Sequence, residues 1–452
     1  MEKGRLTRHE PYALARNRAP FLRGLTEYMV QPRQLLRALS SRNYRLYYGG
    51  QGISVIGTWI TRVATSWLVY RLTGSALMLG VTGFIGQLPV FLFAPFAGVI
   101  VDRMNRHTLL LWTQVLSMIQ SFLLAVLTLT GTITVLHIIL LSAMQGFINA
   151  FDVPGRQAFL SELIERKEDI GNAIALNSSM VNAARLLGPS IAGVIIAGFG
   201  EGICFTVDGF SYLAVIASLI MMRLRPVPPP RARKQFLHEF MEGYHYAFGF
   251  VSIRAILLLL ALSSMMGMSY TVLMPVFASK VLGGGPHTLG FLMSASGLGA
   301  LTGAFFLASR ESVRGLGRWI VIASSVFGLG LMAFSFSSYL LLSLLLLLLV
   351  GFGMMVHMAA SNTILQTISE ERMRGRVMAF YSMAFMGMTP FGNLLAGTLA
   401  DLIGAQWTTF LGGLVCVVGS MVFLRVLPRV REQVRPIYRQ LGIIPEPMGE
   451  QS

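Results

Sequence analysis

Charged side chains are scarce in this chain of 452 residues: they make up 12% of it, whereas 54% of the residues are hydrophobic. A soluble globular protein carries about twice that charged share, about 25%. The mean hydropathy of +0.64 is correspondingly high. Such a chain has more apolar surface than a water-facing fold can bury, so lipid must solvate much of it. We predict an all-α integral membrane protein, because open sheet edges cannot face lipid.

Cysteine and catalytic motifs are also lacking. Cys204 and Cys416 are the two cysteines of the chain, and both lie in apolar runs far apart in sequence. They provide neither a disulfide framework nor the spacing of a metal site. The sequence contains no HExxH, GxSxG or Walker phosphate-binding motif. We therefore predict that the protein is not an enzyme, hydrolyses no ATP and needs no metal or cofactor.

Basic residues outnumber acidic ones, 36 Lys and Arg against 20 Asp and Glu. They recur in short clusters between apolar segments, a pattern that argues against nucleic acid as a partner and is typical of membrane topology. Ten of them lie in 1–45, whereas the loops on the opposite side hold only Arg71 and Lys280. The positive-inside rule then predicts that both termini are cytoplasmic. The expected location is the bacterial inner membrane, with many passes and with the lipid bilayer as partner.

Twelve segments are long and apolar enough for a spanning helix, which needs about 20 residues. They are 46–71, 76–101, 108–130, 133–153, 172–198, 203–224, 253–279, 288–309, 319–336, 338–367, 376–400 and 404–427. We predict a cytoplasmic segment at 1–42, six-helix bundles at 43–225 and 253–428, a cytoplasmic linker at 226–252 and a cytoplasmic tail at 429–452. Within the linker, 234–249 is predicted as a helix on the membrane surface.

The two bundles repeat one another faintly at an offset of about 204 residues. Ala192-Gly193 corresponds to Ala396-Gly397, and a charged loop precedes the helix in both cases. Parallel repeats of six helices are how many transporters build a central, alternately opened site. The repeat therefore predicts two pseudo-symmetric halves and a solute site between them.

The loop after the second predicted helix reads GVIVDRMNRH from Gly98 to His107. Gly98 permits close helix packing, Asp102 can accept from the start of a neighbouring helix, and Arg103 holds the loop at the anionic leaflet. This loop resembles the signature of the major facilitator superfamily, with Asn105 and His107 as departures. The resemblance implies the twelve-helix fold of that superfamily.

Two further segments narrow the resemblance. Gly188-Pro189 and Gly193 in the fifth predicted helix look like the antiporter motif of the superfamily's exporters, with a bend at Pro189. Segment 147–187 is similar to the transmembrane secretion effector branch, which contains the enterobactin exporter. The resemblance runs from about residue 39 to 428. One departure is Ser142, which stands where drug antiporters carry an arginine, so that arginine's role in proton coupling is not carried over.

Polar side chains within the predicted spans mark a candidate solute site. A mid-bilayer arginine costs about 2.5–3.5 kcal/mol by insertion scales, so it should face a cavity or a partner. We predict that four residues of the N-terminal half bind solute: Arg62, Gln145, Asn149 and Arg185. Arg62 and Arg185 would attract an anionic or hydrogen-bonding solute. Alternatively, they pair with Asp152, Asp208 or backbone carbonyls and lock the bundle.

A second group of residues is predicted to control conformational change or coupling: Gly98, Asp102, Arg103, Asp152, Gly188, Pro189 and His357. The proton-carrying group stays open in the sequence, because the carboxylates Asp102, Asp152 and Asp401 lie near predicted helix ends. Asp208 lies close to the outer end of its helix, and His357 is more often a packing residue at such a position.

These features together predict a monomeric secondary active exporter of a small organic solute. The solute would be siderophore-like or drug-like, and an organic anion is one candidate. The exporter would work by alternating access, with protons as the coupling ion. A transporter of lipid or lysophospholipid with the same fold is the alternative. A non-transporting membrane sensor is a further alternative, but the longest polar segment is only about 40 residues.

Overall fold

The computed structural model describes residues 36–164, 166–223, 236–310 and 312–441, and these residues form helices joined by short turns. The N-terminal half, residues 36–223, contains six long helices. They are α1 (Arg42–Thr73), α2 (Ala76–Arg103), α3 (Arg106–Leu129), α4 (Val135–Glu162), α5 (Ile170–Phe199) and α6 (Glu201–Met221).

The C-terminal half, residues 236–441, begins with a short amphipathic helix, α7 (Phe236–Gly249), in the segment predicted as a surface helix. The helices that follow are α8 (Val251–Leu262), α9 (Tyr270–Val276), α10 (Pro286–Ala308), α11 (Leu316–Ser335), α12 (Leu340–Ile368), α13 (Glu371–Ser382), α14 (Thr389–Ile403) and α15 (Ala405–Gln440). A π-helical turn, Ser263–Gly267, links α8 to α9, and another, Met383–Gly387, precedes α14. Because α15 continues to Gln440, the helix extends into the predicted tail.

Ten helical segments among the described residues are long and apolar enough to cross a membrane, and the α8–α9 pair, Val251–Val281, counts as one of them. The two predicted spans that miss this criterion are α1, which carries Arg62 among other polar residues, and the α13–α14 pair. The second pair is interrupted, so that α14 alone has only 15 residues. The integral membrane character agrees with the composition, while the number of twelve spans and the cytoplasmic termini stay predictions.

Local sequence explains where several helices begin and end. The Ser75 side chain accepts from the backbone of Met78 at the start of α2, and the Asn105 side chain does the same for Thr108 in α3. Such caps satisfy backbone donors that have no partner within the helix. Gly200 and Gly404 join α5 to α6 and α14 to α15 at φ of 81° and 86°. They are also 204 residues apart, so the repeat includes its turns.

The two halves cross at two pairs of glycines. A Cβ on Gly193 of α5 would lie 3.3 Å from the Cα of Gly290 in α10, and a Cβ on Gly80 of α2 would lie 2.9 Å from the Cα of Gly397 in α14. Glycine allows backbones to approach this closely in a membrane. Gly193 and Gly397 are the glycines of the two sequence repeats, so both repeats contribute the same element to the contact between halves.

The halves are joined at one end of the bundle and separate at the other. One buried apolar cluster near the turns at Gly74, Gly200 and Gly404 includes residues from both halves, such as Leu68 and Leu273. At the opposite end each half has its own cluster. Hydrogen bonds between described residues of the two halves likewise lie from the middle of the bundle to the first end. We call these the closed end and the open end.

A carboxylate fastens the closed end. Asp401 of α14 accepts from the backbone N–H of Ala76 at 3.1 Å and from the Ser75 hydroxyl at 3.3 Å, both at the start of α2. The positive end of a helix dipole favours a carboxylate there. Asp401 thereby acts as a cap supplied by one half to a helix of the other.

We expect Asp401→Ala to open the closed end more often. Ala76 is only 6% exposed, so a cysteine placed there reports opening through its rate of labelling by a membrane-impermeant maleimide. A carboxylate at a helix start contributes about 0.3–1 kcal/mol, which corresponds to labelling about two- to fivefold faster. Thr398→Ala is the control, because the Thr398 hydroxyl bonds only within α14. Equal labelling in both variants would contradict the capping role.

Candidate functional site: a cationic cleft between the halves

Three side chains stack where α1 meets α5. The guanidinium carbon of Arg62 lies 4.9 Å from the centroid of the Trp59 ring, and that of Arg185 lies 5.5 Å from it. A guanidinium group within about 6 Å of an indole ring is attracted to the π electrons on the face of the ring. Trp59 therefore holds together two like charges, which we call the arginine pair.

The arginine pair has no acidic partner among the described residues. Neither arginine forms an ion pair there, and the buried Nε of Arg185 has no hydrogen-bond partner. The carboxylates named above as alternative partners, Asp152 and Asp208, bind other groups. The alternative that these ion pairs lock the bundle therefore finds no support in the geometry.

The arginine pair lies where the two halves meet. Arg62 is exposed although α1 is flanked by α5 and α6 of its own half and by α9 of the other. Arg185 lies near Tyr270 of α9, whose hydroxyl is 2.7 Å from that of Ser296 in α10. Positive charge without a described counterion thus lies beside helices of both halves.

Small residues set the position of this stack. A Cβ on Gly188 would lie 2.5 Å from the Cβ of Trp59, so glycine is required for the indole to sit against α5. Pro189 lacks the N–H that would bond the carbonyl of Arg185, yet α5 continues through it. A Cβ on Gly297 of α10 would lie 3.0 Å from that carbonyl oxygen. Gly188 and Pro189 therefore shape both the cleft and the contact between halves.

Gln145 and Asn149 of α4 lie in a separate polar group. The Gln145 side-chain amide donates to Asn149 Oδ1 at 3.1 Å and to the Ser117 hydroxyl at 3.2 Å, while its own oxygen is buried without a partner. Both side chains are half-buried. No hydrogen bond between described residues links them to the arginine pair, so their role in solute binding stays a prediction.

Asp152 belongs to a buried network that the sequence did not reveal. It forms an ion pair with Arg156 one turn later at 2.5 Å and accepts from Thr113 and Gln114 of α3, each at 2.7 Å. Arg156 also donates to Gln51 of α1 at 2.7 Å. The predicted fourth span, 133–153, leaves Arg156 outside the helix, although its i, i+4 spacing from Asp152 is a readable signal.

Asp208 has a different kind of environment. It is 2% exposed, and it accepts from the Thr61 hydroxyl of α1 at 2.8 Å and from the Ser121 hydroxyl of α3 at 2.9 Å. Asp208 lies seven residues inside α6, about 10 Å along the helix from Glu201. It is therefore deeper in the bundle than its position near a predicted span end suggested.

His357 lies in the interior of the C-terminal half. It is 2% exposed, and neither ring nitrogen has a hydrogen-bond partner. It lines a small cavity with Ser263, Ser264 and Phe385, and the Ser264 hydroxyl donates to the Phe385 carbonyl. These residues belong to the two π-helical turns, so His357 borders the place where two interrupted helices meet.

Known proteins resemble this chain over most of its length. A family model described as transmembrane secretion effector matches residues 36–445. The chain belongs to this family of the major facilitator superfamily. It is 26% identical to the staphyloferrin A transporter of Staphylococcus aureus over 384 residues, which cover 84% of this chain and 95% of the relative.

A second relative and a solved structure are also similar to this chain over most of its length. The multidrug efflux pump Tap of Mycolicibacterium fortuitum is 27% identical over 385 residues, covering 83% of this chain and 93% of the pump. Among solved structures, a variant of the nucleoside transporter NupG superposes with a TM-score of 0.66 at 13% identity, covering 85% of this chain and 99% of the other. The likeness to NupG shows the major facilitator fold, and the family match with the named relatives identifies the chain as a multi-pass transporter and not an enzyme.

The family's loop motif is described only in part. Gly98 and Asp102 lie within α2, but their surroundings fall outside the described residues, so their predicted roles are not addressed by the geometry. Arg103 is exposed in the last turn of α2. The next basic residue, Arg106, forms an ion pair with Glu162 of α4 at 2.5 Å.

Proposed function

We propose that this protein exports a small organic anion by alternating access of its two halves. The observation that carries the proposal is the arginine pair, which has no described counterion and is presented to the space between the halves. Arg185 is half-buried, and a cation that is removed from water without a partner is costly. A bound anion would remove that cost, so we expect the cleft to bind negatively charged solutes more tightly than neutral or cationic ones.

The loops and the open end support an orientation in which the cleft is reached from the cytoplasm. The basic loops near Arg103, Arg166 and Arg314 lie at the open end, and the positive-inside rule makes that end cytoplasmic. Solute would enter the cleft from the cytoplasm and leave after the closed end opens. Export agrees with the names of two relatives, the multidrug efflux pump Tap and the macrolide efflux protein A of Streptococcus pyogenes. Protons are the proposed coupling ion.

Export by cells that lack their principal efflux pumps tests the proposal, with staphyloferrin A as the anionic probe and ethidium as a cationic one. We expect outward movement of the anion. Arg62→Gln and Arg185→Gln should each slow it about tenfold or more, because a hydrogen bond to a charged group contributes about 1.5–3 kcal/mol. Arg45→Gln is the matched control, since Arg45 is an exposed arginine on the same helix.

Two results would contradict the proposal. Anion export that is equally fast in the control and in both arginine variants would remove the cleft as the binding site. Movement of labelled lysophospholipid in proteoliposomes, without export of either soluble probe, would identify the protein as the lipid transporter that the sequence left as an alternative.

A further inference from the structure

Asp208 is a buried carboxylate with no cation beside it. None of the described Lys, Arg or His side chains forms an ion pair with it. The titratable groups that interact with it electrostatically are Cys204 and Tyr212 of its own helix, and neither is positively charged. A buried carboxylate without a cationic partner has little to hold it in the charged form.

The helices packed against Asp208 present neutral groups. From α1 come the Thr61 hydroxyl and the backbone of Gly57, where a Cβ would lie 2.6 Å from Asp208 Oδ1. From α3 come Ser121 and the neutral side chain of Gln120. The close backbone at Gly57 leaves no room for water on that side of the carboxyl group.

A shell of hydroxyls suits both protonation states of a carboxyl group. A hydroxyl donates to a carboxylate, but it can also rotate and accept from a protonated carboxyl. When it does so, its own proton can go to the helix carbonyl one turn back. Thr58, one turn before Thr61 on α1, donates to the carbonyl of Ser54 in this way at 3.0 Å.

Asp152 provides the contrast within the same half. Its partners include the Arg156 guanidinium, a cation that only donates, together with the Thr113 hydroxyl and the Gln114 side-chain amide. The guanidinium neutralises the carboxylate with its own charge and cannot accept a hydrogen bond from it. The N-terminal half therefore contains one buried carboxylate with a cation beside it, Asp152, and another that hydroxyl groups contact, Asp208.

We propose that Asp208 is the residue that takes up and releases the coupling proton in the transport cycle, a role that rests on the proposed function. Its carboxylate gains one proton from water at one membrane face and returns it at the other. Thr61 connects this event to the cleft, because it is half-buried and directly precedes Arg62 on α1. Proton uptake by Asp208 would thus change the position of α1 and would not act on the solute directly.

Infrared difference spectra of the purified protein test the proton site without any substrate. We expect a protonated-carboxyl band that appears as the pH falls and that is lost in Asp208→Asn, whose amide can still bond both hydroxyls. Thr61→Val should keep the band and move its midpoint to higher pH, since the charged form loses the stronger hydrogen bond. The double variant Asp152→Asn with Arg156→Gln should retain the wild-type band.

Transport in proteoliposomes tests the coupling role, with staphyloferrin A as the probe. Asp208→Asn should lose stimulation by a pH gradient while retaining exchange of probe across the membrane at equal pH. A titrating band that persists in Asp208→Asn would overturn the proton site. Normal gradient-driven export by that variant would overturn its coupling role. Absence of export by the wild-type protein would instead count against the proposed function, while the infrared result would stand on its own.

Discussion

Valine in place of Gly193 is expected to slow transport about tenfold or more while leaving the protein folded. A Cβ at this position would lie 2.8 Å from the carbonyl oxygen of Pro286 and 3.0 Å from the Cα of His287. These are backbone atoms at the start of α10, so they cannot move aside as a flexible side chain would. The larger side chain would therefore force the two halves apart at the closed end.

Folding should survive because the three atoms nearest to that added Cβ all belong to the C-terminal half. The collision occurs only when the halves meet, and not within either half. Overpacking costs about 1–3 kcal/mol. The conformation with the closed end shut would be destabilised by that free energy relative to the other conformations. Each 1.4 kcal/mol changes its population about tenfold.

Export rate and labelling of Ala76→Cys together measure this effect. Gly198→Val is the matched control, because Gly198 lies on the same helix with no atom within 4 Å of an added Cβ. Gly397→Val should reproduce the Gly193→Val result, since its Cβ would lie 2.8 Å from the Cα of Gly80. Normal export by Gly193→Val would show that the glycine crossing does not have to close during transport.

Two features of the sequence predicted the fold, namely its apolar runs and its internal repeat. Apolar runs identify spanning helices because lipid requires them, and this holds for most of the predicted spans. The offset between Gly193 and Gly397 predicted a repeat, and the structure places both glycines at crossings between the halves. Hydropathy predicts the end of a helix less reliably. The last span was predicted to end at 427, but α15 continues as a polar helix to Gln440.

The candidate site was partly predictable for a related reason. Arg62 and Arg185 stand out because a charge in the middle of an apolar span is costly. Trp59, which lies between them, does not stand out, since an aromatic residue is common in such a helix. That α1 and α5 bring these three side chains together depends on packing at Gly188, and spacing along one helix cannot show it.

Arg156 shows how an error in one helix boundary hides a buried network. The fourth helix was predicted to end at 153, but α4 continues to Glu162. Arg156 therefore falls outside the predicted span, although it lies in the bundle beside Asp152. Its other partner, Gln51, comes from α1, and no pattern within α4 could indicate it.

Alanine at Arg156 is expected to lower the free energy of unfolding by about 3 kcal/mol, since breaking a buried ion pair leaves the remaining charge unpaired. The Asp152 side chain is 4% exposed and that of Arg156 is 26% exposed, so the lower end of the usual range applies. Thr113 and Gln114 would still bond the carboxylate, but no cation would remain beside it. Thermal unfolding of the detergent-solubilised protein measures the loss.

The double variant Asp152→Asn with Arg156→Gln separates charge from shape. It removes both charges and keeps side chains that can still bond Gln51 and Gln114, so most of the lost stability should return. Replacing both members of a buried pair is often close to neutral, whereas removing one is strongly destabilising. If the double variant were as unstable as Arg156→Ala, lost packing and not the unpaired Asp152 would explain the effect.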